Sequence, residues 1–316
     1  MKLKNILIIG SGSIAQKHAK IFNRKKIKVF VINIKDINVA KKKICSLVNN
    51  FGIFAAIICS PANTHLKYIN FFKKKKINYL VEKPIFTDNE IKLVNKNFTK
   101  KKNLTELVGY QLRYSRTLNK LKKLLDIKIQ GKIYCIKIFV NSYLPLWRKK
   151  MKNSISLSKE KGGGVLLELS HEIDYMIWLF GNPKYLRALV DETKIFNNEV
   201  EERANIFFYY NSFVLQLDMS FNSRFEKRSI LIEGTKGSLE ADLLKNTIYL
   251  NRSGLSKIIY KNKQKKLNML LEQDNFFIKS VKNKQYKNNL LNSLKVLKLI
   301  KLSRKSNSNN KKIKIV

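Results

Sequence analysis

Three stretches of this sequence carry residues whose types and spacing can do chemistry. In Glu168-Leu169-Ser170-His171-Glu172-Ile173-Asp174 an imidazole stands three residues from a carboxylate on either side. On a helix, that spacing sets Glu168 and Asp174 one turn either side of His171. A carboxylate near an imidazole fixes its tautomer and raises its basicity, which suits proton exchange with a hydroxyl or carbonyl group. The competing reading is a half-buried His satisfied by its helix neighbours, and the residues alone leave both open. The second stretch is Glu82-Lys83-Pro84. Pro84 stiffens a turn, Glu82 orients or neutralises nearby charge, and an ammonium held there can donate a hydrogen bond to a substrate oxygen. The third is Gly10-Ser11-Gly12-Ser13-Ile14-Ala15, which follows the apolar run Asn5–Ile9 and opens a helical pattern.

That third stretch has a mechanism. Gly10 allows the tight turn after a strand, Gly12 lets backbone approach a pyrophosphate, and Ala15 takes the small third position where helix meets strand. The helix beginning near Ser13 and Ile14 offers free N–H groups and the positive end of its dipole to phosphates. The adenosine ribose is expected at the end of the second strand, Val31-Ile32-Asn33-Ile34-Lys35-Asp36. There Asn33 is neutral, Lys35 suits a 2′-phosphate, and Asp36 lies late for gripping a 2′-hydroxyl. The reading leans to NAD and leaves NADP open. Two further segments fall at strand ends on the ligand side. One is Cys59-Ser60-Pro61-Ala62-Asn63-Thr64-His65, where Ser60 and Pro61 line a cofactor and His65 is either a structural cap or a cofactor contact. The other is Gly109-Tyr110-Gln111-Leu112-Arg113. His18, inside the first helix, reads as structural.

The elements that must position these residues follow from the apolar periodicity. Strands near 5–9, 27–34, 54–59, 78–81 and 104–110 alternate with helices, one of them spanning Asp88–Phe98, so the first domain is a Rossmann, doubly wound parallel sheet. After a helix over Arg116–Asp126 the pattern changes. One strand at 132–141 and a helix from Val165 to Phe180 precede strands at 185–192, 203–210, 213–221 and 228–234, with more over 237–250. That pattern predicts an α+β domain on an open, largely antiparallel sheet. Helices over 273–281 and 290–302 close the chain. The predicted domains are 1–115, for the dinucleotide, and 116–316, for substrate and oligomerisation, with a frayed polar tail over 305–316. The run Gly162-Gly163-Gly164 is expected to let backbone approach a ligand.

With 316 residues, 44 % of them hydrophobic, the chain can bury a sizeable core. Three Cys and three His exclude a disulfide scaffold and any large Cys/His metal cluster. The formal net charge of +42 invites a nucleic-acid partner. Only ten of the 64 basic residues are Arg, however, and the Lys runs at 25–26, 41–43, 73–76 and 100–102 fall where helices should end. Phosphate recognition concentrates its base on one stripe, often with Arg and aromatics interleaved. The charge therefore reads as solvated Lys, with no specific nucleic-acid partner. The N-terminal apolar run is too short for a secretory signal and no stretch is long enough to span a membrane, so a cytoplasmic location is expected.

Taken together, these segments resemble the glucose–fructose oxidoreductase, inositol dehydrogenase and MocA (Gfo/Idh/MocA) family, from the Gly loop to the closing helices. Glu82-Lys83-Pro84 is similar to the family's most recognisable triplet, and the run from Gly162 to Asp174 resembles the segment delivering its catalytic His. GGGVLLELSHEIDYMIWLFG and YLPLW, at Tyr143 to Trp147, look like a subgroup of sugar and surface-polysaccharide enzymes. The resemblance implies NAD(P)-dependent hydride transfer at a secondary alcohol or ketone of a sugar or nucleotide-sugar. It implies His171 as general acid or base, Lys83 beside the nicotinamide, and Glu168 or Asp174 orienting His171. Arg113, Tyr143, Trp147 and Arg148 become substrate-side candidates, Arg148 toward an anionic substrate such as a nucleotide-sugar diphosphate. A homodimer or homotetramer is also implied. Two departures stand out: Leu167 occupies the place where many members carry an Asp, with Glu168 one residue later, and the stretch between Trp147 and Gly162 is rich in Lys and Ser. A cofactor-binding member altered in catalysis, serving as sensor or scaffold, is the alternative. A reductase of linear or heterocyclic substrates is a third possibility, against which the His171 segment argues.

Overall fold

The computed structural model describes residues 5–33, 36–94, 98–99, 103–148, 154–191, 194–196 and 200–315. Its first elements are β1 (Asn5–Ile9), α1 (Ser13–Arg24), β2 (Lys28–Ile32), α2 (Ile37–Phe51), β3 (Ala55–Ile58), α3 (His65–Lys74), β4 (Asn78–Val81), α4 (Asp88–Ile91) and β5 (Glu106–Val108). The five strands form a parallel sheet in the order β2-β1-β3-β4-β5. β1 and β3 are apolar on both faces because helices cover both sides of a parallel sheet, and Ile6, Leu7, Ile8, Ala55, Ala56 and Ile57 are fully buried. β2 lies at the sheet edge, and Val31 stays half exposed there.

The expected helix over Asp88–Phe98 is corrected: α4 ends at Ile91. A capping box between Thr87 and Glu90 starts it. The bonds Leu93 N–H to Glu90 O and Val94 N–H to Ile91 O then tighten the chain into a three-residue turn that ends it.

The chain continues with α5 (Arg116–Asp126), β6 (Ile133–Tyr143), α6 (Leu144–Trp147), α7 (Val165–Glu168), α8 (His171–Phe180), β7 (Tyr185–Asp191), β8 (Arg203–Tyr209) and β9 (Val214–Ser220). β10 (Asn222–Gly234), β11 (Gly237–Asp242), β12 (Thr247–Arg252) and β13 (Leu255–Lys261) follow, then α9 (Lys266–Lys282), α10 (Leu290–Asn309) and β14 (Ile313–Lys314). Nine strands form one sheet in the order β13-β12-β11-β10-β6-β9-β8-β7-β14. Only the β6–β9 pairing within it is parallel. Alternation sets its core face: Ile136, Ile138, Ala204, Ile206, Phe208, Leu215, Leu217, Ile230 and Ile232 are buried, while the residues between them face outward. This is the predicted pair of sheets, Rossmann-like first and mixed, mainly antiparallel second.

Residues 1–111 and 266–294 make one compact unit, and residues 112–265 and 295–316 make the other. α9 thus returns to the first unit. Phe277 and Ile278 pack into the core built by Ile6, Ile8, Ala15, Phe22, Ala55, Ile57 and Leu80. The tail is ordered where fraying was expected. α10 runs to Asn309, and Ile313–Lys314 pair antiparallel with Tyr185–Leu186. Ser306 Oγ donates to Lys311 O at 2.6 Å, tying the turn after the helix. Among the described residues, no helix is long and apolar enough to cross a membrane.

Candidate functional site

The predicted site residues divide between the two units. Gly10, Gly12, Ser13, Ile14, Asn33, Ser60, Pro61, His65, Glu82 and Lys83 belong to the first, and Arg113, Tyr143, Trp147, Arg148, Glu168, His171 and Asp174 to the second. Lys35 lies outside the described residues.

In the first unit the Gly loop leaves β1 at its carboxyl end. Gly10 sits at φ +104°, and a Cβ there would lie 2.8 Å from Cys59 O, so this turn admits no side chain. Gly12 differs: it caps α1 with φ −65°, and a Cβ there would meet nothing within 4 Å. The space over the helix start is therefore open, and the first turn of α1, from Ser13 and Ile14 onward, carries no acidic side chain to neutralise its dipole. These residues fit the diphosphate of a dinucleotide. Beyond β2, Asn33 is exposed. Asp36 caps α2, its Oδ1 accepting from Asn38 N at 2.7 Å and Val39 N at 3.0 Å. Those two N–H groups hold its carboxyl below the usual range.

At the third strand end, Thr64 Oγ1 lies 2.8 Å from Pro61 O, to which it can donate, and 2.7 Å from the Ser60 hydroxyl, shaping the turn into α3. His65 is buried, with Nε2 2.7 Å from Ser60 O and Nδ1 3.1 and 3.2 Å from Pro84 O and Ile85 O. Burial lowers its pKa, and the three carbonyls oppose that shift. Lys83 follows β4 and joins Pro84 through a cis peptide. Glu82 faces His18, whose Nε2 lies 3.2 Å from Glu82 Oε1 and whose Nδ1 lies 2.9 Å from Asp274 Oδ2. Burial works against a charged His18 ring, but the Asp274 and Glu82 carboxylates together raise its pKa to about 10. Neither Asp274 nor this use of His18 announces itself in the sequence; the two stand 256 residues apart.

In the second unit, the expected continuous helix from Val165 to Phe180 is interrupted. α7 ends at Glu168 and α8 begins at His171, with Leu169 and Ser170 in a turn between them. Glu168 is therefore not one turn below His171 on a shared helix. Its Oε1 accepts from Ser156 Oγ at 2.8 Å and Arg148 Nη2 at 3.3 Å. Asp174 is buried and turns both oxygens to Arg113, which donates from Nε at 2.7 Å and Nη2 at 2.8 Å. Burial raises the Asp174 pKa, and Arg113 pulls it back. His171 is buried at the N-terminus of α8. Two substrate-side candidates, Arg113 and Arg148, thus bind the very carboxylates expected to orient His171. Trp147 lies edge-on to Phe221 at 5.7 Å with Arg148 over its ring at 5.1 Å, and Tyr143 lies under Arg224 at 4.5 Å. Two glycines of the 162–164 run, Gly163 and Gly164, pack closely within this unit. A Cβ on Gly163 would stand 2.6 Å from Ile155 O and Ser156 O, so its backbone meets backbone there.

A parallel sheet with an open glycine turn at a helix start, joined in one chain to a large mixed sheet, defines a two-domain dinucleotide-fold protein. The family comparisons refine that class. The model of the oxidoreductase family with an NAD-binding Rossmann fold matches residues 4–110, and the GFO/IDH/MocA C-terminal domain matches residues 118–240. The chain belongs to the Gfo/Idh/MocA family. It is 25 % identical over 218 residues to oxidoreductase P35 of Formosa agariphila, a match covering 66 % of each chain. It is 28 % identical over 189 residues to glucose-6-phosphate 3-dehydrogenase of Bacillus subtilis, covering 56 % of this chain and 53 % of the relative. The matches thus span about two thirds and about half of these relatives' lengths. Among solved structures, levoglucosan dehydrogenase in complex with NADH and L-sorbose superposes with a TM-score of 0.83, at 14 % identity and with all of both chains covered. At that identity the likeness establishes the fold.

Proposed function

We propose that this protein is an NAD(P)-dependent oxidoreductase that transfers a hydride between nicotinamide and a secondary alcohol or ketone of a sugar or nucleotide-sugar, with NAD the preferred cofactor. The observation that carries the reading is the open cradle at Gly12 over an uncompensated helix start, in a chain that also holds Lys83 at a strand end and His171 at a helix start. When bound, the dinucleotide supplies the hydride acceptor or donor. Gly10, Gly12, Ser13 and Ile14 would hold its diphosphate, with Asn33 toward the ribose and Ser60, Pro61, His65 and Glu82 lining its path. Lys83 donates a hydrogen bond to the reacting oxygen and stabilises charge developing on it. His171 takes or returns the hydroxyl proton. Asp174 and Glu168 serve this role at one remove, by holding Arg113 and Arg148 on the substrate side. The sugar relatives among the comparisons support the substrate class. Surface-polysaccharide biosynthesis is the setting to which the YLPLW and GGGVLLELSHEIDYMIWLFG segments point, and it accords with a cytoplasmic protein. A homodimer or homotetramer is supported by Leu189 and Phe207, which stand exposed on the outer face of the nine-stranded sheet.

The test is a fluorescence titration with NADH and NADPH at low and raised salt, followed by a screen of free and nucleotide-linked sugars read by nicotinamide absorbance. Lys83→Ala and His171→Asn should each lower kcat by at least about a hundredfold and leave dinucleotide affinity nearly intact; wild-type turnover in both variants would overturn the assignment. One observation favours a second reading, a cofactor-binding member altered in catalysis: Leu167 stands where the family resemblance implies an Asp, while the Asp174 carboxylate is given over to Arg113. That reading expects NADH binding without any sugar-dependent absorbance change.

A further inference from the structure

Of the three histidines in the chain, two lie buried in the first unit, His18 on α1 and His65 at the start of α3, and hydride transfer as described needs no proton from either. Their contacts converge on one short segment. His18 reaches the residue before Lys83: its Nε2 lies 3.2 Å from Glu82 Oε1, while Asp274 holds its Nδ1 at 2.9 and 3.0 Å. The Glu82 carboxylate fills the place a side chain at residue 109 would take; a Cβ on Gly109 would stand 2.6 Å from Glu82 Oε1. Glu82 N also donates to Ile58 O at 2.9 Å, so this residue is anchored by backbone and side chain together. His65 reaches the two residues after Lys83, through Pro84 O and Ile85 O on one ring nitrogen, and ties them to Ser60 O on the other.

We propose that His18 and His65 are positioning residues that fix the Lys83 turn from both sides, His18 through the Glu82 carboxylate and His65 through the Pro84 and Ile85 carbonyls. As far as it concerns turnover, this rests on the oxidoreductase reading above. The chemistry favours histidine at both places. A lysine acts at the end of a flexible four-carbon stem, so the placement of its ammonium depends on how firmly its backbone is held. An imidazole carries two nitrogens at fixed divergent angles: the His18 ring, protonated on both, donates to both of its carboxylates, while the buried, neutral His65 ring donates from one nitrogen and packs the other against its carbonyl neighbour. In His18 those partners are carboxylates from two separate segments of the chain, Glu82 and Asp274, and the ring that joins them sits on the helix opened by the Gly loop. In His65 they are backbone carbonyls at two neighbouring strand ends. An Asn at either place reaches one partner and releases the other.

Trace acetylation with acetic anhydride, followed by peptide mass spectrometry, reads the reactivity of Lys83 against the other lysines of the same folded chain and needs no substrate. His18→Asn and His65→Asn should each change Lys83 labelling severalfold and leave lysines of α2 and α10 as they are. In turnover assays His18→Asn should lower kcat by about tenfold or more with the sugar KM kept, and should cost nothing further in a Lys83→Ala background. Asp274→Asn leaves the His18 ring in place and removes one carboxylate; it should give the same pattern in smaller measure and serves if His18→Asn does not fold. Unchanged Lys83 labelling in folded variants, or full additivity with Lys83→Ala, would overturn the proposal and leave the two histidines as packing groups. A wild-type chain that turns over no sugar overturns the oxidoreductase reading alone, and the labelling still decides between clamp and packing.

Discussion

Asp174 and Arg113 form a two-pronged ion pair, each carboxylate oxygen meeting its own guanidinium nitrogen at 2.7 and 2.8 Å. The pair joins α8 to the turn that precedes α5, and it lies three residues beyond His171. Parallel bonds of this kind fix orientation as well as charge, so Arg113 is aimed by Asp174.

Asp174→Asn should therefore read first as a loss of structure. The Asp174 side chain is nearly fully buried and that of Arg113 four-fifths buried, so the variant leaves a guanidinium short of its counter-charge. Breaking such a pair costs about 3 kcal/mol, visible as a lowered urea midpoint. His171→Asn, in contrast, should lose turnover at a nearly unchanged midpoint. An Asp174→Asn protein with wild-type stability and lowered kcat would instead make Asp174 a direct partner of His171.

Much of this arrangement was legible in the residues, and the limits have physical causes. The uninterrupted apolar run of β1 and the glycine spacing after it are local signals, and both lie where expected. The antiparallel strands were readable because alternation of buried and exposed side chains has period two. Helix ends were less so: Lys92 and Leu93 continue a helical pattern, yet hydrogen bonds to residues three back close the chain into a turn there. The break between Glu168 and His171 is similarly invisible to periodicity, since Leu169 is apolar and buried. Contacts between distant segments left no trace at all. Nothing near Asp274 says that it meets His18, and nothing in the apolar pattern of α9 says to which sheet Phe277 belongs.

Asp36 supplies a second prediction, because it is the acidic residue nearest the end of the second strand, though late for the ribose, and its geometry gives it another role. Its Oδ1 is taken by the Asn38 and Val39 amides, the arrangement of a helix N-cap. Asp36→Ala should lower the melting temperature slightly and leave the ratio of NADH to NADPH affinities where it was. A shift of that ratio toward NADPH, measured by fluorescence titration, would restore Asp36 as the group that meets the ribose.

The two loop glycines should separate by phenotype. At Gly10 a methyl group meets the Cys59 carbonyl carbon at 3.0 Å as well as its oxygen, on a backbone at positive φ. Gly10→Ala should cost about 2–3 kcal/mol. At Gly12 the same methyl group projects into open space, so stability should hold within about 0.5 kcal/mol. NADH affinity should nevertheless fall about tenfold, or about 1.4 kcal/mol, because the methyl enters the space assigned to the diphosphate. Equal melting temperatures and equal NADH affinities in the two variants would contradict the loop assignment.

His18 makes stability depend on pH in a window of its own. Its folded-state pKa of about 10 lies above the 6.5 of an unperturbed imidazole, so the native chain holds this proton more tightly than the unfolded one. The stabilisation is complete below about pH 6.5 and is lost as pH rises through 10. Asp274 and Glu82 are the carboxylates facing the ring, and Cys59, close enough to feel both, has its thiol pushed well upward, first by burial and then by those carboxylates. The wild-type urea midpoint should fall between pH 7 and pH 10 by the equivalent of a few kcal/mol, roughly, given about 1.4 kcal/mol for each pH unit of displacement. Lysines across the surface begin to titrate near the top of this range, so the quantity to compare is the difference between wild type and His18→Gln at each pH. That difference should be large at pH 7 and shrink toward pH 10, because a neutral amide neither gains nor loses a proton on unfolding. A difference constant across the range would mean that His18 is held between its carboxylates as a neutral ring.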